Sequence, residues 1–270
     1  MSGLPGRRPW GLYLYAGLFF AFLYGPVLLL PLFSVSDSSE IAFPIRGLTL
    51  RWYHELAQDH QLAAAFFNSL TVAAVVAVAA TALGVSSAWA IVRHRPRGAR
   101  LAVGFMMLPL VVPGLILGVS LLILAGLIGV PLSLATVGMG HMVLCVPFSL
   151  AVMIACFEGF DRNLEEASRD LGEGPVSSFV RVILPIALPA VLSSLLMTFT
   201  VSFDEFVLTF FLCGSNITLP IYLWAQLRFP EKLPSVMALA TLILCFSFVL
   251  ITLAQRLRRI GRDEQVEALL

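Results

Sequence analysis

The chain has 270 residues, of which 59% are hydrophobic and only 12% charged, about half the charge content of a soluble domain. That balance sets aside a soluble globular protein, and no nucleic-acid partner is expected. The formal net charge of +1 says little by itself; where the charges fall says more.

Charge-free runs mark the predicted spans. No Asp, Glu, Lys or Arg occurs in 9–36, 61–92, 101–157, 182–203, 206–227 or 233–255. A transmembrane helix needs about 20 apolar residues to cross a hydrocarbon core roughly 30 Å thick. The run 101–157 would be about 85 Å long as one helix, so it must fold back, and "GVPLSL" (Gly129–Leu134) supplies the turn. The fold class is therefore an all-α integral membrane protein with six transmembrane helices, at about 11–34, 65–92, 102–128, 135–157, 187–212 and 235–255. Residues 187–212 are read as one span, because a loop at Asp204–Glu205 would strand a short, unpaired helix. The first span exceeds a signal peptide's apolar core, and Ser34–Ser39 offers no small-x-small cleavage site, so it is expected to remain as a helix.

Cations set the orientation. Arg7, Arg8, Arg93, Arg95, Arg97, Arg100, Arg162, Arg169, Arg181, Arg256, Arg258, Arg259 and Arg262 share one side of this layout; Arg46, Arg51, Arg228 and Lys232 lie on the other. Cationic residues resist translocation and stay cytoplasmic, which places both termini and the segment 158–186 inside (N-in, C-in). "RHRPRGAR" (93–100) reads as an anchor against anionic lipid. The outer "LRWYHEL" (50–56) reads as an interfacial helix with Trp52 and Tyr53 at headgroup depth.

Within the spans, Gly114-x-x-x-Gly118 suits close helix packing, and Pro109, Pro113 and Pro147 are expected to kink spans three and four. His141 stands alone in its span and is expected to satisfy a hydrogen bond. The four cysteines, Cys145, Cys156, Cys213 and Cys245, have no CxxC spacing and read as small apolar packing. No metal and no cofactor is expected. The single lysine, Lys232, follows Glu231 rather than a glycine-rich loop, so the chain has no P-loop. It also lacks HExxH, GxSxG and intramembrane aspartates paired across spans. It is not expected to be an enzyme; ATP-driven transport would need the ATPase of another subunit.

Six of the sixteen acidic residues crowd into one segment: Glu158, Asp161, Glu165, Glu166, Asp170 and Glu173. Asn163 is placed to cap a helix over about 164–171, with Glu166 completing a capping box and Gly172 stopping it. Glu165 and Glu173 each lie four residues from Arg169, as Arg162 does from Glu166. Two turns are marginal alone in water; the helix suits docking to a partner, a solvated loop being the alternative. A second short helical stretch opens at Pro175, and Pro185 and Pro189 interrupt the return to the membrane.

This segment resembles the cytoplasmic EAA loop of binding-protein-dependent ABC importer permeases, in which E-A-A is followed by three residues, Gly, nine residues, Ile, one residue and Leu-Pro. Glu166, Ala167 and Ser168 stand at the first three positions, Gly172 at the glycine, Val182 at the isoleucine, and Leu184–Pro185 close the pattern. Ser168 for Ala and Val182 for Ile preserve size. The resemblance implies the type I importer fold, with 1–270 as a single transmembrane permease domain and this helix as the coupling helix that sits in a cleft of the ATPase. It also implies the partners: two cytoplasmic ATPase subunits, a second permease subunit that is homologous but not identical, and an extracytoplasmic solute-binding protein. The implied setting is the bacterial cytoplasmic (inner) membrane, crossed several times and in contact with its lipid.

Asp204 and Glu205 lie within span five, where each carboxylate costs about 2.5–3.5 kcal/mol at a helix centre. On a continuous helical wheel, Phe199, Phe203, Phe206 and Phe210 form a stripe for packing or lipid. The two acids flank the opposite face with Ser193, Ser194 and Met197, which makes that face the candidate substrate path. Pairing of the acids with basic groups on a partner subunit is the alternative. Acids in a path suit a cationic substrate. The stretches "SFDEFVLTFFLCG", "TLPIYLWAQLR" and "LPLVVPGLILGVSLL" resemble spermidine/putrescine-type permeases, which implies polyamine uptake. Iron- and phosphonate-type permeases share much of this background, and a stand-alone secondary cation carrier is the rival from another class.

Overall fold

A computed structural model describes residues 10–245 apart from 39, 40, 42, 46, 95 and 162, together with Phe248. The described residues are helical or irregular, with one isolated bridge between Ser36 and Leu48. Arg7, Arg8, the arginines from 256 to 262, and most of the second half of the predicted sixth span lie outside them; that span begins as a helix over 233–245. Two compact units divide the chain, residues 1–59 with 223–270, and residues 60–222.

In the first unit α1 (Trp10–Ser34) leaves its apolar side chains exposed along nearly its whole length and buries only Phe33 and Ser34, as expected of a helix whose solvent is lipid. The segment read as an interfacial helix folds as α2 (Arg51–Gln58), with its tryptophan turned into the protein. Trp52 and Leu56, four residues apart, form an inner stripe, and Trp52 is only 4% exposed. Its Nε1–H donates to the Ser36 carbonyl at 2.7 Å, while Tyr53 Oη and Ser34 Oγ pair at 2.7 Å. An indole buried in protein must satisfy its N–H there, so Trp52 pins α2 to the segment just after α1.

The second unit is built on α3 (His60–His94), 35 residues long. One of its faces carries small residues at helical spacing, Ala73, Ala77, Ala80, Gly84 and Ala88, all buried. Small side chains let backbones approach where lipid offers no hydrophobic drive to pack. Against this face lie α6 (Leu134–Glu158) and α9 (Leu184–Phe203). A Cβ at Gly84 would meet Ser149 Oγ, Cβ and backbone C all within 3 Å. We therefore expect Gly84→Ala to cost about 1–3 kcal/mol, as overpacking does, and to lower the melting temperature of the purified subunit; unchanged melting would refute this contact.

The predicted third span is not one helix. It runs as α4 (Ala99–Val111) and α5 (Gly114–Ile128), bent by 102° at the break. Pro113 has no N–H to continue the ladder and forces Val112 into extended backbone, φ −74° and ψ 128°. Pro109 and Pro147, by contrast, stay inside α4 and α6. Gly118 faces the Phe211 ring, so the small-residue pair brings α5 against α10 (Val207–Leu212). Gly129 ends α5 in the left-handed region (φ 72°), and Ser133 Oγ accepts the Thr136 N–H to start α6, so the turn is where it was predicted. Among the described residues four helices are long and apolar enough to cross a membrane, or five if the bent pair is one span.

Apolar clusters of described residues fill this unit. One gathers Val72, Val76, Val137, Cys145, Leu208, Leu212 and Cys213; another gathers Val85, Leu150, Met153, Phe157 and Ile183. Cys145 and Cys213 thus pack as expected, whereas Cys156 is half-buried and Cys245 exposed. Between the clusters runs a polar seam. Ser194 Oγ donates to Ser149 Oγ at 2.8 Å, Thr198 Oγ1 donates to the Ser194 carbonyl at 2.8 Å, and Thr81 Oγ1 lies 3.4 Å from Thr198 Oγ1. These bonds cross-link α3, α6 and α9.

Candidate functional site

The acidic segment folds as α7 (Asn163–Asp170). Its start is organised by Asp161, not by Asn163. Asp161 Oδ1 accepts the Asn163 N–H at 3.0 Å and Oδ2 accepts its side-chain amide at 3.3 Å. Glu166 is exposed, so the predicted capping box does not form; a carboxylate already satisfies the orphan donor it would have served. The end follows the prediction. Gly172 adopts φ 88°, its N–H bonds the Arg169 carbonyl at 2.8 Å, and the Glu173 N–H bonds the Ser168 carbonyl at 3.2 Å. That crossed pair is a Schellman motif with Gly172 at the left-handed position.

The two faces of α7 differ in character. Glu165 and Ser168 are buried, whereas Glu166, Ala167, Arg169 and Asp170 are exposed. Ser168 Oγ has no hydrogen-bond partner, so the pocket that receives it is one an alanine would fill. Outside the long apolar helices, Leu171 is 87% and Val176 75% exposed. Sequence reasoning passed over both, although apolar residues inside a charged loop were the available signal.

Ion pairs fasten the segment. Glu165 Oε1 accepts from Arg169 Nη2 at 2.6 Å, the i,i+4 pair expected, and its Oε2 meets Arg93 Nε at the end of α3. Glu173 does not reach Arg169; it pairs with Arg181 at 2.8 Å. A hydrogen bond from Ser177, and then the Arg181 guanidinium, hold the Glu173 carboxyl below the usual carboxylate range. The Arg162–Glu166 pair falls outside the described residues. After α8 (Pro175–Ser178) the chain widens into a π-helical turn, Phe179–Ile183, before α9. Val182 and Leu184 pack half-buried on the cluster around Phe157, and Pro185 is exposed in the first turn of α9.

The carboxylates expected in the substrate path sit in a different geometry. α9 stops at Phe203, and Asp204–Phe206 form a break before α10. Glu205 Oε1 accepts the Leu208 N–H at 3.1 Å, satisfying a donor at the start of α10. His141, fully buried, bridges the break: Nδ1 pairs with Ser202 Oγ at 2.8 Å and Nε2 with Thr209 Oγ1 at 2.9 Å. It is satisfied, as expected of a lone histidine. The continuous wheel therefore fails. Ser194 is buried in the seam, Ser193 is exposed and bonds the Pro189 carbonyl, and Asp204 is exposed. These residues do not form one face. The phenylalanines split likewise into Phe199–Phe203 and Phe206–Phe210 pairs, with centroids 5.7 and 5.8 Å apart.

Comparison with known proteins bears on this geometry. The family model for the binding-protein-dependent transport system inner membrane component matches residues 80–260. The chain is 37% identical over 253 residues to the putrescine transport system permease protein PotI of Escherichia coli strain K12, covering 90% of this chain and 89% of that protein. It is 32% identical over 241 residues to the spermidine/putrescine transport system permease protein PotC of the same strain, covering 89% and 90%. In fold it is similar to a chain from the crystal structure of a bacterial ABC transporter involved in the import of the acidic polysaccharide alginate. The TM-score there is 0.71 at 14% identity, covering 93% of this chain and 99% of that one. An EAA-type loop on a helical scaffold, a profile match over most of the chain and relatives along nearly its whole length agree: this chain belongs to the binding-protein-dependent inner membrane components, the permeases of ABC importers.

Proposed function

We propose that the chain is one permease subunit of a polyamine importer, carrying putrescine or spermidine across the bacterial cytoplasmic membrane. The observation that carries the substrate is its likeness to the putrescine permease PotI over about nine-tenths of both proteins. In this reading residues 1–270 act as one permease domain of six spans, with both termini and α7 in the cytoplasm; the arginine distribution supports that orientation. Two ATPase subunits, a second, non-identical permease subunit and an extracytoplasmic binding protein complete the importer.

The helix α7 is the coupling helix. Glu166, Ala167 and Gly172 form its docking end, Ser168 seats its inner face in this chain, and Val182, Leu184 and Pro185 form its joint to α9. Exposed Leu171 and Val176 support this, since a partner's cleft would cover apolar side chains that a free loop leaves in water. Closure of the ATPases on ATP moves α7, and α7 moves the helices that line the path. Asp204 and Glu205, with Ser193 and Ser194, remain the candidates beside that path, and their separation in the fold makes Asp204 the one free to meet a cation.

Reconstitution tests the whole reading. Proteoliposomes holding both permeases and the ATPase, with binding protein outside and ATP inside, are expected to take up labelled putrescine. The chain alone is expected to take up none under a proton or cation gradient. Gradient-driven uptake by the chain alone would replace the importer with a secondary carrier, and ATP-driven uptake of iron or phosphonate without polyamine would replace the substrate.

A further inference from the structure

We propose that Glu165, the residue before the EAA glutamate, is the positioning residue that ties the coupling helix to α3 through Arg93, giving α7 a second output besides its covalent connection to α9. This rests on the coupling role assigned to α7 above.

The two neighbouring glutamates face opposite ways. Glu166 is exposed, whereas the Glu165 side chain is only 6% exposed. A carboxylate so enclosed must be paired, and Glu165 divides its oxygens between two guanidiniums. Oε1 takes Arg169 Nη2 from its own helix, which fixes the side chain's direction; Oε2 takes Arg93 Nε from the last turn of α3. Arg169 is half-exposed and Arg93 is 18% exposed, so the bond that leaves the helix is the enclosed one. Screening by salt is weak for such a pair, and it transmits a displacement rather than yielding to water.

The alternative route out of α7 is less direct. It passes through the Gly172 turn, the four-residue α8 and the π-helical turn before α9 begins, and π-helical turns mark places where a helix gives. The Glu165–Arg93 route ends on the longest helix of the unit, which the seam at Thr81 joins to Ser194 and Thr198 of α9. One short bond thus lets α7 move α3 and α9 together. A cavity of about 560 Å³ beside the pair, lined in part by Trp89, Arg100, Phe157 and Asp161, gives the joint room to shift without repacking the core.

The test uses the complete reconstituted importer and reads putrescine taken up per ATP hydrolysed, with subunit stoichiometry measured in parallel. Glu165→Gln and Arg93→Met are expected to retain assembly and ATP hydrolysis within about twofold while ATP used per substrate rises about tenfold, within the usual range of coupling between sites. Arg93→Lys, which keeps the charge, is expected to recover most of the coupling. The double variant is expected to be no worse than the poorer single one, because a pair acting as a unit is lost only once. Normal coupling in both single variants, or multiplied effects in the double, would overturn the proposal. If a single variant fails to assemble, the double decides, since removing both charges leaves none buried and unpaired. Raised ATP use in an assembled double supports the joint, and normal coupling or failed assembly there rejects it. Gly172→Val serves as the control. If it too leaves coupling intact, the coupling role of α7 fails; if it alone uncouples, only the Glu165–Arg93 joint fails.

Discussion

Gly172→Val is expected to reduce ATP-driven uptake by about tenfold or more, within the range set by typical coupling energies, while the subunit still assembles and ATP is still hydrolysed. The cause is conformational rather than steric crowding. A Cβ at Gly172 would meet nothing within 4 Å, but the backbone sits at φ 88°, where an L-residue pays about 1–2 kcal/mol and a β-branched one more. The chain relieves that strain by leaving the left-handed region, which breaks the two crossed bonds, Gly172 N–H to Arg169 and Glu173 N–H to Ser168. Leu171 and Glu173 are then re-aimed, and with them the exposed apolar side chain proposed to meet the ATPase and the carboxylate held by Arg181. Uptake and ATPase rates on the same proteoliposomes separate the outcomes. Gly172→Asn, whose side chain tolerates the left-handed region, is expected to keep most of the uptake. Full uptake by Gly172→Val would remove the rigid-helix account of coupling.

How far the sequence speaks for this fold depends on whether one residue or two distant ones carry the information. Charge-free runs located the long helices to within a few residues, because an unpaired charge in lipid is costly wherever the chain goes. The stop at Gly172 and the turn at Gly129 were legible for a similar reason: each is a backbone requirement met by one residue type. The break at Asp204–Phe206 was not legible. A short helix there looked stranded on sequence grounds, yet Glu205 satisfies its first turn, Gly118 receives Phe211, and His141 bridges Ser202 to Thr209. Two of those supports, Gly118 and His141, come from distant places in the chain. The 102° bend after Val111 was anticipated as a kink at Pro113 but not in size, since proline sets where a helix yields and packing sets how far. The same limit hid Arg93 behind the label of a positive-inside anchor. Its pairing with Glu165 joins segments that no spacing rule connects.

The break also changes what Asp204 and Glu205 are expected to do, because it gives the two carboxylates different work. Glu205 is half-buried and accepts the Leu208 N–H; Asp204 is exposed, and its carboxylate accepts no hydrogen bond from the described residues. Asp204→Asn is therefore expected to lower uptake of labelled putrescine about tenfold or more, as losing one charge-assisted contact of roughly 1.5–3 kcal/mol would, without changing the melting temperature or the subunit stoichiometry. Glu205→Gln keeps an oxygen for the Leu208 N–H and is expected to fold normally. Glu205→Ala removes it and should destabilise α10 by about 1 kcal/mol, the usual cost of a lost cap, with a lower melting temperature and a smaller loss of uptake than Asp204→Asn. Raising external putrescine, presented with saturating binding protein, should not restore Asp204→Asn, because delivery by the binding protein precedes the contact that was lost. Wild-type uptake by Asp204→Asn would remove the residue from the path. Loss of the second permease subunit from the purified Asp204→Asn complex would instead assign the carboxylate to a basic group across the subunit interface, where an acid in an apolar span can also be neutralised.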